Sequence, residues 1–436
     1  MAVISPVGLV GARSPILITW DGSNRDRLDG MELKIYAWTG EESAKPATPV
    51  YTIDRTSGFV DFYPTADIAP LLEAEFNNRI SKLSQEGIVD NAPDAQLWVQ
   101  VDYTLDWFNT ESAPAGAGQD TGSTDVFIAT YGYGKFTEGA NKNIQRPILQ
   151  QYERYATDVD AFMMPIYLGL HGEGLDIIYG YRDRVVADGG VVEALSCCNF
   201  GLDAVKVLND DGTFYEYQVT EADVYGTSVQ ERVMLFPAGP ANLSNFKDAQ
   251  GYGGTAPYRT KYYDVQLLDV NNTIIESMRV YNTCEAKYEP VSLYFVNRYG
   301  AWDNVTFFKR SETNLNVEKD TYRSTIGSAG ASGYTWGDQA RGVRSYNHKA
   351  QHRLTLNTGF VSESFSEVME QLLMSEYVLA VIDRTTSRSG ATFDIDQSQR
   401  AVNILTDSIT LQKHINDKTI NYTLEVEFAT PENAML

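Results

Sequence analysis

TINYTLEVEF, residues 419–428, puts Ile420, Tyr422, Leu424, Val426 and Phe428 on one side of an extended chain. Thr419, Asn421, Thr423, Glu425 and Glu427 fall on the other. Alternation with period two over ten residues marks a half-buried strand with one solvated face, usually antiparallel. LWVQVDYTL (97–105) repeats the pattern, with Leu97, Val99, Val101, Tyr103 and Leu105 aligned. PILITW (15–20), MELKIYAW (31–38), GFVDFY (58–63), VFIATYGY (126–133) and TKYYDVQLLDV (260–270) also read as strands. NDDGTF (209–214) supplies an Asp-Gly hairpin turn. These segments predict a mainly β fold of antiparallel, sandwich-like domains with a few amphipathic helices packed on the sheets.

Two helices interrupt the alternation. DIAPLLEAEFNNRISKL (67–83) spaces Ile68, Leu71, Leu72, Phe76, Ile80 and Leu83 helically, with Pro70 in the first turn, where its missing N–H costs nothing. SESFSEVMEQLLMSEYV (362–378) carries the stripe Phe365, Val368, Met369, Leu372, Leu373, and Ser364 with Glu367 forms a capping-box pattern. SAPAGAGQDTGST (112–124) and GSAGASGYTWG (327–337) are rich in small residues and read as long loops or arms. With 436 residues, two or three domains are expected. The strand pattern lapses at 138–160, which suggests a division into 1–148 and 149–436, the latter splitting further into 149–320 and 321–436.

Composition excludes more than it selects. Thirty-five Lys+Arg against 58 Asp+Glu give a net charge of -23, a surface that repels nucleic-acid phosphate and anionic membrane. Residues 298–353 run the other way, with nine basic against five acidic side chains, a net of +4. That segment suits an acidic surface, such as the acidic part of another copy. Cys197, Cys198 and Cys284 are too few, and wrongly spaced, for a disulfide framework or a zinc site. The N-terminus lacks the charged and apolar regions of a secretion signal. No apolar run approaches the roughly 18 residues that span a membrane. Synthesis in a reducing cytosol is expected.

Catalytic patterns are scarce. There is no GxxxxGK[ST], no GxGxxG between strand and helix, and no GxSxG elbow. LHGEGLDIIYG (170–180) brings His171, Glu173 and Asp176 close in sequence, a set open to metal or acid–base chemistry. Its glycines favour a plain turn between strands. His348 and His352 sit four apart, but in a strand-like segment where that spacing does not converge. The acidic pairs Asp158/Asp160, Asp210/Asp211 and Asp394/Asp396 read as solvated turns. No catalytic residue, metal or cofactor is assigned.

SLYFVNRYGAWDNVTFFKRS (292–311) is the densest aromatic stretch. It reads as a strand to Val296, a turn over 297–300 and a return strand from Trp302. Val305 and Phe307 face one way on the return, Thr306 and Phe308 the other. Apolar side chains on both faces imply cover on both sides, by the chain's own core and by a neighbouring subunit. Candidate assembly residues are Arg298, Tyr299, Trp302, Lys309, Arg310, Tyr334, Trp336, Arg341 and Arg344.

FVDFYPTADIAPLLEAEF (59–76), EPVSLYFVNRYGAWDNVTFFKRS (289–311) and LNTGFVSESFSEVMEQLLMSEYVLAV (356–381) carry the patterns D-I-A-P opening a helix, F-x-N-R-x-G-x-W-D, and L-N-T-G-F-x-x-E…L-L-x-S-E. In these the chain resembles virion structural proteins of crAss-like podoviruses and related phages of Bacteroidetes hosts. The resemblance implies a neck or tail ring component below the portal, made in the host bacterial cytoplasm and resident in the virion. Its partners would be copies of itself in a ring, neighbouring portal, neck or tail proteins, and passing genomic DNA bound without sequence specificity. No membrane insertion is expected. The competing class is a tail-associated receptor- or glycan-binding protein, with or without polysaccharide hydrolase activity. That class predicts an exposed aromatic cleft beside a carboxylate pair.

Overall fold

The computed structural model describes residues 3–6, 8–21, 27–40, 43–56, 64–77, 90–91, 96–108, 118–141, 154–156, 163–167, 202–218, 233–249, 251, 253–269, 272–283, 288–336, 342–381, 399–409 and 419–430. The fold is mainly β, built of several largely antiparallel sheets with three α-helices among the described residues. The chain forms two compact units. The first takes Met1–Cys284, Phe295–Val305 and Glu367–Ser375, and the second takes Glu285–Tyr294, Thr306–Ser366 and Glu376–Leu436.

In the first unit a six-stranded sheet runs Leu9–Gly11, Phe127–Thr130, Gln96–Phe108, Arg27–Trp38, Tyr51–Thr56, with Gly118–Ser123 also paired to Gln96–Phe108. Leu97, Val99, Val101 and Leu105 are buried as their alternation requires. The opposite face is solvated at Asp106 but closed at Trp98, which joins Leu9, Tyr36, Trp38, Ile128 and Tyr299 in one cluster. Beside this sheet lies a three-stranded one, Val3–Ile4, Leu17–Trp20 and Thr65–Asp67. Trp20 and Tyr103 meet edge-on between the two, with ring centroids 5.6 Å apart. The helix Ala69–Asn77 starts where expected: Asp67 Oδ1 accepts the Ala69 N–H at 3.0 Å. It buries Leu72 and Phe76, the latter 6.0 Å from Tyr131. Positions 78–83 of that expected helix, and the expected strand 58–63, lie outside the described residues.

A five-stranded sheet, Arg154–Ala156, Ile274–Asn282, Tyr262–Asp269, Leu202–Asn209, Phe214–Gln218, holds only residues beyond 149. Its Asp-Gly turn forms as read, with Asp211 accepting the Thr213 N–H at 2.9 Å. A further sheet joins Met163–Tyr167, Val233–Pro237 and Asp90–Asn91. Sheet membership therefore changes near residue 149, with Asp90–Asn91 the one described strand that crosses, while both sets of sheets lie in one compact unit. The helix Pro240–Ala249 was not expected. Its apolar spacing is weak, and it buries Leu243.

The second unit is organised on strands paired in the order Val378–Val381, Gln399–Ile404, Thr419–Phe428, Val343–Ser362, Glu312–Arg323. Thr419–Phe428 pairs on both sides, and Ile420, Tyr422, Leu424, Val426 and Phe428 are all buried. Alternation decides this strand. The helix expected over 362–378 spans Phe365–Leu373, shorter than read, with its residues from Glu367 onward in the first unit, and buries Phe365, Val368, Met369 and Leu372. The expected capping box does not form. The Ser364 hydroxyl pairs with that of Ser362 at 2.7 Å, and the Glu363 carbonyl accepts the Ser366 N–H at 3.0 Å.

Both glycine-rich stretches contain strands rather than only loops. Gly118–Ser123 lies along Gln96–Phe108, and Gly327–Gly330 pairs with Gly333–Trp336. In each, a glycine makes room for a tyrosine. A Cβ on Gly122 would sit 2.6 Å from Tyr103 Oη, and one on Gly327 would meet the Tyr334 ring. Small residues here mean close approach, which composition cannot distinguish from a loop.

Candidate assembly site

The nine candidate residues divide into three groups. Arg298 and Tyr299 are buried at the hairpin tip, at 8% and 2% exposure. The turn forms because Asn297 Oδ1 accepts the N–H groups of Tyr299 (2.9 Å) and Ala301 (3.2 Å), and Gly300 takes φ +86°. A Cβ at Gly300 would lie 2.6 Å from the backbone nitrogen of Tyr131. The Arg298 guanidinium bonds Glu138 Oε2 at 2.9 Å, its carbonyl accepts the Tyr133 N–H at 2.7 Å, and its own N–H donates to Gln371 Oε1 at 3.1 Å. Burial pushes the phenols of Tyr299 and Tyr133 up to about 12. One residue beyond Trp302, which is half-buried, Asp303 takes a two-pronged ion pair from Arg154. Nη1–Oδ1 is 2.6 Å, Nη2–Oδ2 is 2.9 Å, and the side chains are 4% and 0% exposed.

This overturns one expectation about the hairpin. Val305, Thr306, Phe307 and Phe308 are all buried within the single chain, so the cover expected from a neighbouring subunit comes from the chain itself. Sequence reasoning singled out Asn297, Arg298, Gly300 and Asp303 in F-x-N-R-x-G-x-W-D. It missed Glu138, Arg154 and Gln371, which lie between 73 and 160 residues away along the chain. Nothing local in the sequence marks those partners.

A second group is exposed or partly so. Lys309 is half-buried, its ammonium 5.4 Å from the Phe308 ring centroid. Arg310 is exposed and pairs with Glu312 at 3.1 Å. Tyr334 and Arg344 are exposed. The third group cannot be placed: Arg341 and the Trp336 side chain lie outside the described residues, as do His171, Glu173 and Asp176.

Tyr334 and Arg344 belong to a feature larger than any single residue. Glu312–Arg323 pairs along its whole length with Val343–Ser362, but that partner meets Thr419–Phe428 only from Arg353 onward. Residues 315–323 and 343–352 therefore form a ribbon of two strands, continuing past the rest of the sheet for about 30 Å at roughly 3.4 Å per residue. Gly327–Trp336 makes a smaller hairpin between them. All twelve residues of Glu312–Arg323 are exposed. Its large apolar side chains include Leu315 at 55%, Val317 at 43% and Tyr322 at 46%, and Val343 and Tyr346 on the partner strand reach 60% and 51%. Tyr322 and Tyr346 touch edge-on at 5.7 Å.

Among the described residues no group of three or more His, Cys, Asp or Glu could hold a metal, and no helix is long and apolar enough to cross a membrane. No protein-family model and no curated protein matches the chain. Among solved structures, Salmonella alpha-2-macroglobulin reacted with methylamine aligns at 8% identity and a TM-score of 0.19, over 97% of this chain and 23% of that one. A likeness that slight carries no inference about fold or function.

Proposed function

We propose that this chain is a non-enzymatic structural protein of a virion, a neck or tail ring component whose copies associate below the portal around the path of the genomic DNA. The observation that carries the assembly reading is the projecting ribbon 315–323/343–352. An isolated two-stranded ribbon is marginally stable at best in water, and this one exposes Leu315, Val317, Tyr322, Val343 and Tyr346. An exposed apolar element of this kind is explained by a partner that covers it.

The virion and ring parts of the reading rest on the sequence resemblance carried by 59–76, 289–311 and 356–381. The net charge of -23 fits a conduit past which DNA slides without adhering. Neighbouring portal, neck or tail proteins are the further partners. Electron microscopy of the purified full chain and of its native particle is the test. Rings of fixed symmetry around a channel are expected. A free monomer that binds polysaccharide saturably would overturn the reading in favour of a glycan-binding tail protein.

A further inference from the structure

The ribbon has one side that no described strand occupies. Glu312–Arg323 is the last strand of its sheet, so half of its backbone groups face outward. Which half follows from the hydrogen bonding. The Ser324 N–H donates to the Gly342 carbonyl at 3.0 Å, continuing the register Tyr322↔Arg344 and Arg323↔Val343. Successive N–H groups point to opposite sides of a strand, so even-numbered residues from Asn314 to Ser324 aim at the partner strand. The register shift between Lys319 and Asp320 places its extra residue, Asn347, on the other strand and leaves this alternation intact. The N–H groups of Thr313, Leu315, Val317, Lys319, Thr321 and Arg323 therefore line the open edge.

Side chains on that strand point to the same conclusion. Leu315 and Val317 lie on one face and Tyr322 on the other, each more than two-fifths exposed. A flat surface laid against the ribbon covers only one face. A strand laid alongside meets side chains of both faces and also satisfies the open N–H and C=O groups. Edges that proteins keep unpaired carry charge and little apolar surface. Here the charged run Glu318-Lys319-Asp320 sits between apolar positions, which restricts the partner strand to one of complementary charge.

We infer that a strand from a second copy of this chain adds to the Glu312–Arg323 edge. This deepens the assembly reading above and rests on it. Charge selects the kind of contact. The two paired segments 312–323 and 343–354 carry Lys319, Arg323, Arg344, Lys349 and Arg353 against Glu312, Glu318 and Asp320, a net of +2 within a chain of -23. Ribbon against ribbon brings two positive elements together, whereas ribbon against the acidic remainder of another copy brings opposite charges together. The contact is therefore head-to-tail, the kind that closes into a ring when its rotation allows.

Proline at an outward position removes an edge N–H while sparing the ladder within the chain. Val317→Pro should fold with wild-type far-UV circular dichroism but need at least about tenfold higher concentration to assemble, whereas Val317→Thr, which keeps the N–H and the β-branch, should assemble like wild type. Hydrogen exchange gives the second readout: the amides of Leu315, Val317 and Thr321 should exchange fast in the dilute monomer and slowly in the assembly. Wild-type assembly by Val317→Pro, or equally fast exchange of those amides in both states, would overturn strand addition. If removing the ribbon then still abolished assembly, the structural role would stand and only the edge contact would fall. A wild-type chain that stayed monomeric at high concentration would remove both. Protection that appeared only after a different protein was added would overturn the second copy as occupant.

Discussion

Two hairpins that follow one another in the sequence meet opposite fates. The first, Val291–Val296 with Trp302–Phe307 and the turn between them, carries five aromatic side chains and one basic one, whereas the second, Glu312–Arg323 with residues 343–354, carries two Tyr and five Lys or Arg. In the first, Tyr294, Phe295, Tyr299, Val305 and Phe307 are at most 2% exposed, and Asp303 is fully buried on Arg154. In the second, every residue of the outer strand is exposed. They differ too in the supply of partners elsewhere in the chain. Glu138, Arg154 and Gln371 serve the first hairpin. The described residues offer no strand to the edge of the second. Of the two, the aromatic-rich hairpin is the one its own chain covers.

The contrast can be broken most sharply at the buried ion pair. Asp303→Ala strands the Arg154 guanidinium in the interior, and removing one partner of such a pair costs about 3–5 kcal/mol. Equilibrium denaturation should show that loss, and a change within error of zero would mean that the pair is not closed in solution. Gly300→Ala comes next. A side chain at φ +86° with a Cβ 2.6 Å from Tyr131 nitrogen should destabilise by about 1–3 kcal/mol from backbone strain, with the clash adding to it.

The same tip predicts a response to alkali. Tyr299 and Tyr133 are pushed up to about 12 by burial, so the folded state holds those protons more tightly than the unfolded chain. Their contribution is complete below about pH 10 and is lost as pH rises toward 12, at about 1.4 kcal/mol per pH unit for each group. Tyr299→Phe removes one titrating group and should flatten the measured decline by that amount. An unchanged slope would mean that Tyr299 is solvated.

The smallest effect on stability belongs to the second hairpin. Leu315→Ser with Val317→Ser should shift the monomer's denaturation midpoint little, because exposed substitutions usually stay within about 0.5 kcal/mol each. Self-association should nevertheless weaken. Large unfolding with unchanged association would reverse the roles assigned to the two hairpins.

A wet face made some strands legible but not all: Ile274–Asn282 and Gln399–Ile404 also have exposed positions, yet their sequences were not read as strands. Thr419–Phe428 follows its alternation at every position described, because water on the other side keeps that face polar. At Trp98 the same logic breaks, since Tyr299 closes the second face from about 200 positions away. Glycine-rich segments misled for a different reason: Gly122 and Gly327 are small so that Tyr103 and Tyr334 can lie over them, and a sequence does not show what lies over a residue. For the candidate site, the exposed members Arg310, Tyr334 and Arg344 and the buried members Arg298 and Tyr299 look alike as residue types. Only long-range pairing separates them.

The central claim is that the ribbon exists to be covered by another copy. It is tested most directly by replacing residues 315–352 with Asn-Gly, a two-residue turn that closes the Asn314/Arg353 pair, and comparing solution masses by analytical ultracentrifugation. The full chain should sediment as a discrete oligomer and the shortened chain as a folded monomer. A shortened chain that forms the same oligomer as the full one would contradict the account.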